Sequence, residues 1–325
     1  MVDLQEPGLV EYIGESVIIL GHHNADPDAV GSAQGVKELI ERLKPGTVTR
    51  IVMPDDISRL SMKLIEALEL DVFEESSMSF DTLVIVDSGG LNQLGAWENQ
   101  VIDGAHAVIL IDHHTLDERL SKHIDLLIHD DKASSTSEIV QRLYEKNQLT
   151  PSVITSKALL AGIVFDSKYF TIGDSNTFKA ASMLLENIGD ISGIREIMQT
   201  EIDVSEKIAR LKSGQRSEIH QINDWVIVFS ELGSYQASGA RALVSIGADL
   251  AIVIGSEKDE TRVSLRSTQA FYDKTGLHLG ELVSAFSSAN GGSGSGHPTA
   301  AGYNGAISPV ILRQMLLKKI TEQIK

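Results

Sequence analysis

Four apolar segments of this chain each lead into an aspartate or a histidine, and this repeated arrangement limits the possible folds more than any other feature. The segments and the polar residues that follow them are 17–20 with His22, Asp26 and Asp28, 82–86 with Asp87, 107–111 with Asp112 and His113, and 159–165 with Asp166. The carboxyl ends of parallel strands meet at one edge of a sheet. A single aspartate there is often only a turn residue or a helix cap, the role open to Asp28 or Ser32. The fourfold repetition instead predicts one shared site at the sheet edge.

The intervening segments predict helices packed on this sheet. Val36, Leu39, Ile40 and Leu43 recur at helical spacing after the first polar turn. Further strands are predicted at 48–53 and 125–128, and further helices at 58–70, 134–144 and 176–185. The alternation of strands and helices favours an α/β fold with a mainly parallel, doubly wound sheet.

The length of 325 residues predicts two domains with substantial cores. We assign residues 1–190 to the first domain, 191–215 to a helical connector, and 216–325 to a smaller α/β second domain. In the second domain, strands are predicted at 225–229, 250–255 and 262–267, and helices at 238–246, 278–286 and 309–324.

Composition excludes several classes of protein. The chain has no cysteine, which rules out disulfides and thiolate metal sites. No apolar run is long enough for a membrane span and no signal segment opens the chain, so we expect a cytoplasmic protein without a membrane partner. The net charge of −17 argues against binding of long duplex nucleic acid. A short anionic substrate stays compatible with this charge, because bound divalent cations would supply positive charge locally.

The predicted sheet-edge site has the ligand chemistry of a divalent cation. Imidazole and carboxylate groups without sulfur suit Mn²⁺ or Mg²⁺, and Zn²⁺ or Co²⁺ would also fit. Carboxylates packed together repel one another unless cations neutralise them. The sequence therefore predicts metal ions at this edge.

The order and spacing of these residues resemble a known superfamily. The matching segments are His22-His23-Asn24-Ala25-Asp26-Pro27-Asp28-Ala29, Asp87, Asp112-His113-His114 and Asp166, with Gly291-Gly292-Ser293-Gly294-Ser295-Gly296-His297-Pro298-Thr299-Ala300-Ala301-Gly302 near the carboxyl terminus. The first four resemble the motifs of the DHH phosphoesterases, and the last resembles the glycine-rich motif of the DHH-associated C-terminal domain. Length and motifs together are most similar to NrnA-type oligoribonucleases and pAp phosphatases. Family II pyrophosphatases share the N-terminal motifs, but their second domain carries a basic motif that this chain lacks. RecJ exonucleases are usually longer.

The resemblance implies a pair of divalent ions, Mn²⁺ first, with Mg²⁺ or Co²⁺ as alternatives. By analogy, His22, Asp26 and Asp87 hold one ion, and Asp87 bridges to the other. The second ion would be held by Asp28, Asp87, His113 and Asp166. The resemblance implies that Asp112 orients a histidine ring. It implies that His114 either contacts the substrate phosphate or donates a proton to the leaving oxygen. A packed structural histidine is the alternative for His114.

The resemblance also implies a substrate-binding second domain. Its residues would be Arg266, Gly292, Gly294, Gly296 and His297. Glycines allow backbone N–H groups to approach a phosphate, and the segment before Thr299 is expected to open a helix whose N-terminus favours an anion. A flexible linker is the alternative. Arg262 lies four residues before Arg266 on the same predicted strand and hence on the same face.

The resulting hypothesis is a metal-dependent phosphoesterase that hydrolyses short oligoribonucleotides, pApA or pAp in a cleft between the domains. The alternatives are a phosphoanhydride hydrolase of the exopolyphosphatase or pyrophosphatase type and a RecJ-like single-strand exonuclease. A homodimer is compatible with this hypothesis.

Two departures from the motifs bear on the substrate. Lys168 and Tyr169 stand where the family commonly has a small turn after Asp166, and Ser293 and Ser295 interrupt the glycine motif.

Overall fold

The computed structural model describes residues 8–104, 107–199, 202–257 and 260–324. The chain divides into two compact units, Met1–Thr200 and Glu201–Lys325. None of the described helices combines the length and the apolar character that a membrane crossing requires.

The first unit is built on a six-stranded sheet whose neighbouring strands are all parallel. Its strands are β1 Ser16–Leu20, β2 Val48–Val52, β3 Val72–Phe73, β4 Thr82–Val86, β5 Ala107–Asp112 and β6 Leu126–His129. The strand order is β3-β2-β1-β4-β5-β6, so the order reverses between β1 and β4. In sheets of this kind, ligands bind outside the carboxyl ends of the strands beside such a reversal.

Helices cover both faces of this sheet, which confirms the predicted doubly wound α/β fold. They are α1 Leu9–Tyr12, α2 Pro27–Leu43, α3 Arg59–Leu68, α4 Glu98–Asp103, α5 Glu118–Ser121, α6 Thr136–Lys146, α7 Val153–Asp166, α8 Ser175–Ile188 and α9 Ser192–Met198, with short 3₁₀ turns at Leu91–Gln93 and Gly95–Trp97. The alternating side chains of β1 separate two cores. Val17 and Ile19 pack with α2, α6 and α7, whereas Ile18 and Leu20 pack towards α4 and α5.

One predicted segment has a different structure from the one expected. The apolar residues before Asp166 belong to α7, a helix, and not to a strand of the sheet. Apolar residues cover the whole circumference of α7, because it is packed between α2 and α8, and such a helix has no polar face that would reveal its period. Asp166 therefore reaches the sheet edge from the end of a helix.

The second unit has a mixed six-stranded sheet in the order β11-β12-β10-β9-β8-β7. Its strands are β7 Glu218–Ile222, β8 Trp225–Glu231, β9 Leu250–Glu257, β10 Glu260–Ser267, β11 Ser293–His297 and β12 Ala300–Gly305, and its helices are α10 Val204–Gln215, α11 Gln236–Ser245, α12 Gln269–Thr275, α13 Leu279–Asn290 and α14 Pro309–Gln323. Only β8 and β9 run parallel, and the other neighbours are antiparallel.

The expectation that the glycine-rich segment opens a helix is wrong. Residues 293–297 and 300–305 form a β-hairpin at the edge of the second sheet. Glycine is required there by packing, because a Cβ at Gly294 would lie 2.5 Å from the carbonyl oxygen of Val283 on α13. A Cβ at Gly280 of α13 would lie 2.2 Å from the carbonyl oxygen of Gly296. The glycines let α13 lie directly on β11.

The predicted connector, residues 191–215, contains two helices with different partners. Ile194 and Met198 of α9 lie in the core of the first unit, and Ala209 of α10 packs with Leu243 of α11 in the second unit. Residues 200 and 201, between these helices, lie outside the described residues.

Candidate metal centre

The candidate site lies at the carboxyl ends of the central strands of the first sheet. His22 and Asp26 follow β1, Asp87 follows β4, and His113 follows β5. Asp87 adopts a left-handed backbone conformation with a φ of 57°. Such a conformation is unfavourable for most residues with a Cβ, although aspartate adopts it more readily than most. Its amide donates to the carbonyl oxygen of Ile111, which fixes this turn to the neighbouring strand.

Two groups of metal-ligating side chains share Asp87. One group consists of His22, Asp26 and Asp87, and in the other Asp87 lies with His113, His114 and Asp166. Within each group one potential ligand atom per residue lies within 4.8 Å of all the others. The sharing of one carboxylate by two groups is the arrangement expected of two neighbouring ions.

The interatomic distances place nitrogen and oxygen atoms around each potential ion. His22 Nε2 lies 3.7 Å from Asp87 Oδ2 and 3.9 Å from Asp26 Oδ2. On the other side, His113 Nε2 lies 3.1 Å from Asp166 Oδ2 and 3.6 Å from Asp87 Oδ1. The two oxygens of Asp87 thus face different groups.

Backbone carbonyls orient two of the imidazole rings. His22 Nδ1 lies 2.7 Å from the carbonyl oxygen of His23, and His113 Nδ1 lies 3.2 Å from that of Ala133. A carbonyl only accepts, so each Nδ1 carries a proton, and Nε2 is left as the nitrogen that would bind a cation once it has lost its own proton. This is the usual hydrogen-bond pattern around metal-binding histidines.

The buried polar atoms of the site fit a divalent cation. Asp87 Oδ2 and His113 Nε2 are buried and make no hydrogen bond of good geometry, although His22 and Asp166 lie 3.7 and 3.1 Å from them. Buried polar atoms are nearly always paired, so these two require another partner. Oxygen and imidazole nitrogen donors without sulfur suit Mn²⁺ and Mg²⁺, in agreement with the sequence.

The site carries more negative charge than its histidines neutralise. Burial and the charges of Asp87 and Asp166 raise the pKa of Asp26 to about 6. Burial lowers the pKa of His22, but the neighbouring carboxylate of Asp87 outweighs this and raises that pKa to about 9. His22 and Asp26 therefore hold protons more strongly than usual, and a bound cation would replace those protons.

Asp26 also begins the next helix. Its Oδ1 accepts hydrogen bonds from the amides of Asp28 and Ala29, so the cap of α2 is Asp26, and not Asp28 or Ser32 as considered from the sequence. Its Oδ2 faces His22. One carboxylate thus both caps the helix and belongs to a metal-ligating group.

Asp28 is not brought into either group. It is fully buried, and its two oxygens accept hydrogen bonds from the amides of Thr136 and Ser137 at 2.6 and 2.9 Å. Asp28 therefore holds the N-terminus of α6, where a carboxylate is favoured. Burial and the charges of Asp87, Asp166 and Asp26 raise its pKa. Its assignment as a ligand stays a prediction.

Asp112 contacts His114. Asp112 Oδ1 accepts hydrogen bonds from the amides of His113 and His114 and lies 2.9 Å from His114 Nδ1. This hydrogen bond is the main cause that raises the pKa of His114 to about 9. The His114 side chain is 48% exposed, so a protonated imidazole is presented to solvent at neutral pH.

Thr136 contacts the shared carboxylate and was missed by sequence reasoning. Its buried hydroxyl donates to Asp87 Oδ1 at 2.9 Å, while its amide donates to Asp28. The sequence signal was the run of Ser and Thr residues at the start of the predicted helix. Such a run is equally typical of helix capping, so it does not indicate a contact to the site.

The turn after Asp166 departs from the small turn that is common in the family. Lys168, Tyr169 and Phe170 are all left-handed, with φ values of 50°, 57° and 62°. This backbone favours glycine. The Ser167 hydroxyl stabilises the turn by accepting a hydrogen bond from the amide of Phe170.

Only two of the predicted substrate-binding residues of the second unit, Arg266 and His297, are placed together on one face of the sheet. Arg266 pairs with Ala300 and Ala300 with His297 across three strands, which places Arg266 and His297 on the same face. Gly294 faces Val283 of α13 instead, a Cβ at Gly296 would meet Ala300 and Ala301 of β12, and Gly292 lies in the turn before β11 with a φ of 90°.

Two domain families match the sequence. Residues 16–163 match the DHH family, N-terminal domain, and residues 236–325 match the DHHA1 domain. The uncharacterized protein MJ0988 of Methanocaldococcus jannaschii is 33% identical over 317 residues, covering 96% of this chain and 94% of that protein.

Relatives with named activities are more distant. The cyclic-di-AMP phosphodiesterase GdpP of Bacillus subtilis is 31% identical over 222 residues, which are 62% of this chain but only 33% of that protein. The probable bifunctional oligoribonuclease and PAP phosphatase NrnA of Streptococcus mutans is 27% identical over 304 residues and 89% of each chain.

A solved structure shows the same fold. It is an exopolyphosphatase-related protein from Bacteroides fragilis, with a TM-score of 0.64 and 17% identity over 95% of this chain and 94% of that one. The sheet-edge groups of histidine and aspartate, the two matching domains and the full-length relative lead to one conclusion: the chain belongs to the DHH phosphoesterase family, whose members are hydrolases of phosphate esters.

Proposed function

We propose that this protein hydrolyses short oligoribonucleotides, with pApA and pAp as its smallest substrates. The observation that carries the proposal is the pair of metal-ligating groups that share Asp87. The NrnA relative, named an oligoribonuclease and PAP phosphatase, matches over 89% of both chains and supports the substrate class.

Two divalent cations, Mn²⁺ foremost, fit these groups. When bound, they would supply Lewis-acid chemistry, which lowers the pKa of water and offsets charge on the phosphoryl oxygens. His22, Asp26 and Asp87 would hold one, and His113, Asp166 and Asp87 the other. Asp28 remains a candidate ligand through the lone pairs that its two backbone hydrogen bonds leave available.

The protein's own side chains provide the remaining chemistry. His114 is proposed as the general acid, because Asp112 holds its Nδ1 and stabilises the protonated ring. Its Nε2–H is then available to protonate the leaving oxygen. Arg266 and His297 are proposed to bind a phosphate of the substrate that does not react, and this binding orients the reacting one.

A substrate panel tests the proposal. The full-length protein with Mn²⁺ is given pAp, pApA, riboadenylates of two to five nucleotides, cyclic di-AMP and polyphosphate. We expect turnover of the short linear substrates, complete loss of turnover in Asp87→Ala, and chiefly a raised KM in Arg266→Ala. Wild-type rates in both variants would refute the assignment of the site.

The same panel separates the alternative functions. Preferred release of phosphate from polyphosphate would indicate a phosphoanhydride hydrolase. When a long single strand is added to the panel, its processive shortening would indicate a RecJ-like exonuclease. Preferred cleavage of cyclic di-AMP would match the activity in the name of the GdpP relative.

A further inference from the structure

The edge strand β6 also ends in a polar residue, at the same edge of the sheet as the metal centre. His129 is the last residue of β6, and it pairs with Asp112, the last residue of β5. The strand predicted from the sequence ended at residue 128, so His129 was not among the candidate residues. The parallel pairing nevertheless places His129 beside the turn after β5, which carries His113 and His114.

His129 makes a direct contact to the backbone of His114. Its Nε2 lies 2.7 Å from the His114 carbonyl oxygen, at the short end of the range for an N–H···O hydrogen bond. A carbonyl oxygen accepts and does not donate, so His129 Nε2 carries a proton and is the donor. The contact joins residues 15 positions apart and ties the end of β6 to the turn after β5.

Three hydrogen bonds hold His114, at its amide, at its ring Nδ1 and at its carbonyl oxygen. Asp112 Oδ1 accepts from the amide at 3.1 Å and lies 2.9 Å from Nδ1. His129 holds the third group, the carbonyl oxygen. His114 lies beyond the end of β5, and its side chain is 48% exposed, so only part of it is packed against other residues. The orientation of the ring therefore depends on these hydrogen bonds.

The orientation of an acid that protonates a leaving group has a large effect on the rate. The acid must lie within hydrogen-bond reach of the oxygen, about 2.6–3.2 Å, and a displacement of about 1 Å can reduce the rate about 100-fold. Asp112 holds the amide and the ring of His114, whereas His129 holds the carbonyl on the other side of Cα. Without His129, the turn could tilt about the Asp112 contacts and carry the ring with it.

We propose that His129 is a positioning residue for His114, whose Nε2–H holds the His114 carbonyl so that the imidazole faces the leaving oxygen. This inference rests on the proposed function. In that reaction a water hydroxyl forms a bond to phosphorus, and the other proton of the water passes to solvent. The bond from phosphorus to the leaving oxygen breaks, its electron pair stays on that oxygen, and the Nε2 proton of His114 moves to it. The ring then regains a proton from solvent, and His129 acts throughout only on the His114 backbone.

Steady-state kinetics of the full-length protein with Mn²⁺ and pApA test this inference. His129→Ala should lower kcat about 10- to 100-fold and leave KM within about twofold of wild type, because proton donation is weakened and binding is not. Gln places its amide nitrogen close to the position of His Nε2, so His129→Gln should restore most of the rate. Asn places its nitrogen close to the position of Nδ1, so His129→Asn should not. His123→Ala, on the amino-terminal side of β6, is the matched control and should behave as wild type.

A second substrate separates a role in proton donation from a role in folding. The p-nitrophenyl ester of AMP has a leaving group that departs as the phenolate without a proton. His129→Ala should therefore cleave this ester at a rate within about twofold of wild type. The affinity for Mn²⁺, from isothermal titration, should also be unchanged, because His129 belongs to neither metal-ligating group.

Three results would overturn the inference. They are a wild-type kcat for pApA in His129→Ala, an equal loss of rate with both esters, and equal rates of the Gln and Asn variants with pApA. The proposed function would survive each of them, because wild type would still hydrolyse pApA in an Asp87-dependent manner. Absence of that hydrolysis in wild type would refute the proposed function and the inference with it.

Discussion

Replacing Thr136 with valine removes one hydroxyl from the metal centre and changes little else. Thr136 is fully buried, and its Oγ1 lies 2.9 Å from Asp87 Oδ1. Valine has the same shape, and its amide would still donate to Asp28. A hydrogen bond to a charged group contributes about 1.5–3 kcal/mol, and loss of a residue that orients a metal ligand typically reduces metal affinity about 10- to 100-fold. We expect Thr136→Val to weaken Mn²⁺ binding by that factor.

Isothermal titration of Mn²⁺ into metal-free protein measures this effect, and a second threonine provides the control. The Thr177 hydroxyl is also buried and donates to Glu138 Oε2 at 2.9 Å, but neither residue belongs to the metal-ligating groups. Thr177→Val should lower the free energy of unfolding as Thr136→Val does, with unchanged Mn²⁺ affinity. Thr136→Ser should restore binding. If Thr136→Val binds Mn²⁺ as wild type does, the hydroxyl does not orient Asp87 for a metal.

Three other predictions concern charge and packing. Asp112→Asn should lower the pKa of His114 from about 9, which NMR titration of the ring protons would detect. The raised pKa of His22 stabilises the metal-free fold fully at pH values below 6.5, the pKa in the unfolded chain, and this contribution, on the order of 3 kcal/mol, is lost as pH rises towards 9. Thermal melts with EDTA should show this loss, and Mn²⁺ should stabilise the protein more as pH rises. Gly280→Ala should destabilise the fold by about 1–3 kcal/mol in denaturant titrations, since its Cβ would meet Gly296. Gly214→Ala, in a helix with open space around it, should instead stabilise by about 0.5–1 kcal/mol.

The sequence was sufficient to predict the sheet and most of the site. The carboxyl ends of parallel strands meet at one edge of a sheet, so polar residues that follow apolar strands lie near one another. His22, Asp87 and His113 could therefore be placed together from the sequence. The strand order of the first sheet agrees with this reasoning. The same reasoning included Asp26, Asp28 and Asp166, and the family resemblance, now confirmed, added the division of these residues between two ions.

The errors share one physical origin, which is tertiary packing that leaves no local signal. The segment before Asp166 is apolar on all sides because α7 is buried between other helices, so its period could not be read. The glycine-rich segment near the carboxyl terminus was expected to open a helix, but it forms β11, which α13 approaches closely at Gly294. Thr136 was missed, because its contact to Asp87 spans 49 positions of the chain.

The electrostatics of the centre explain why the fold tolerates so many buried acids there. Asp28, Asp87 and Asp112 are almost completely inaccessible to solvent, and Asp26 lies beside them. Backbone amides and histidines compensate some of this charge, yet burial and neighbouring carboxylates still raise the pKa values of Asp26 and Asp28. A pKa raised in the folded state means that the metal-free protein becomes less stable as these acids lose their protons. Two divalent cations would remove this cost, because five aspartates, at positions 26, 28, 87, 112 and 166, outnumber the three histidines of the groups. Metal binding and stability are therefore coupled through the same carboxylates that define the site.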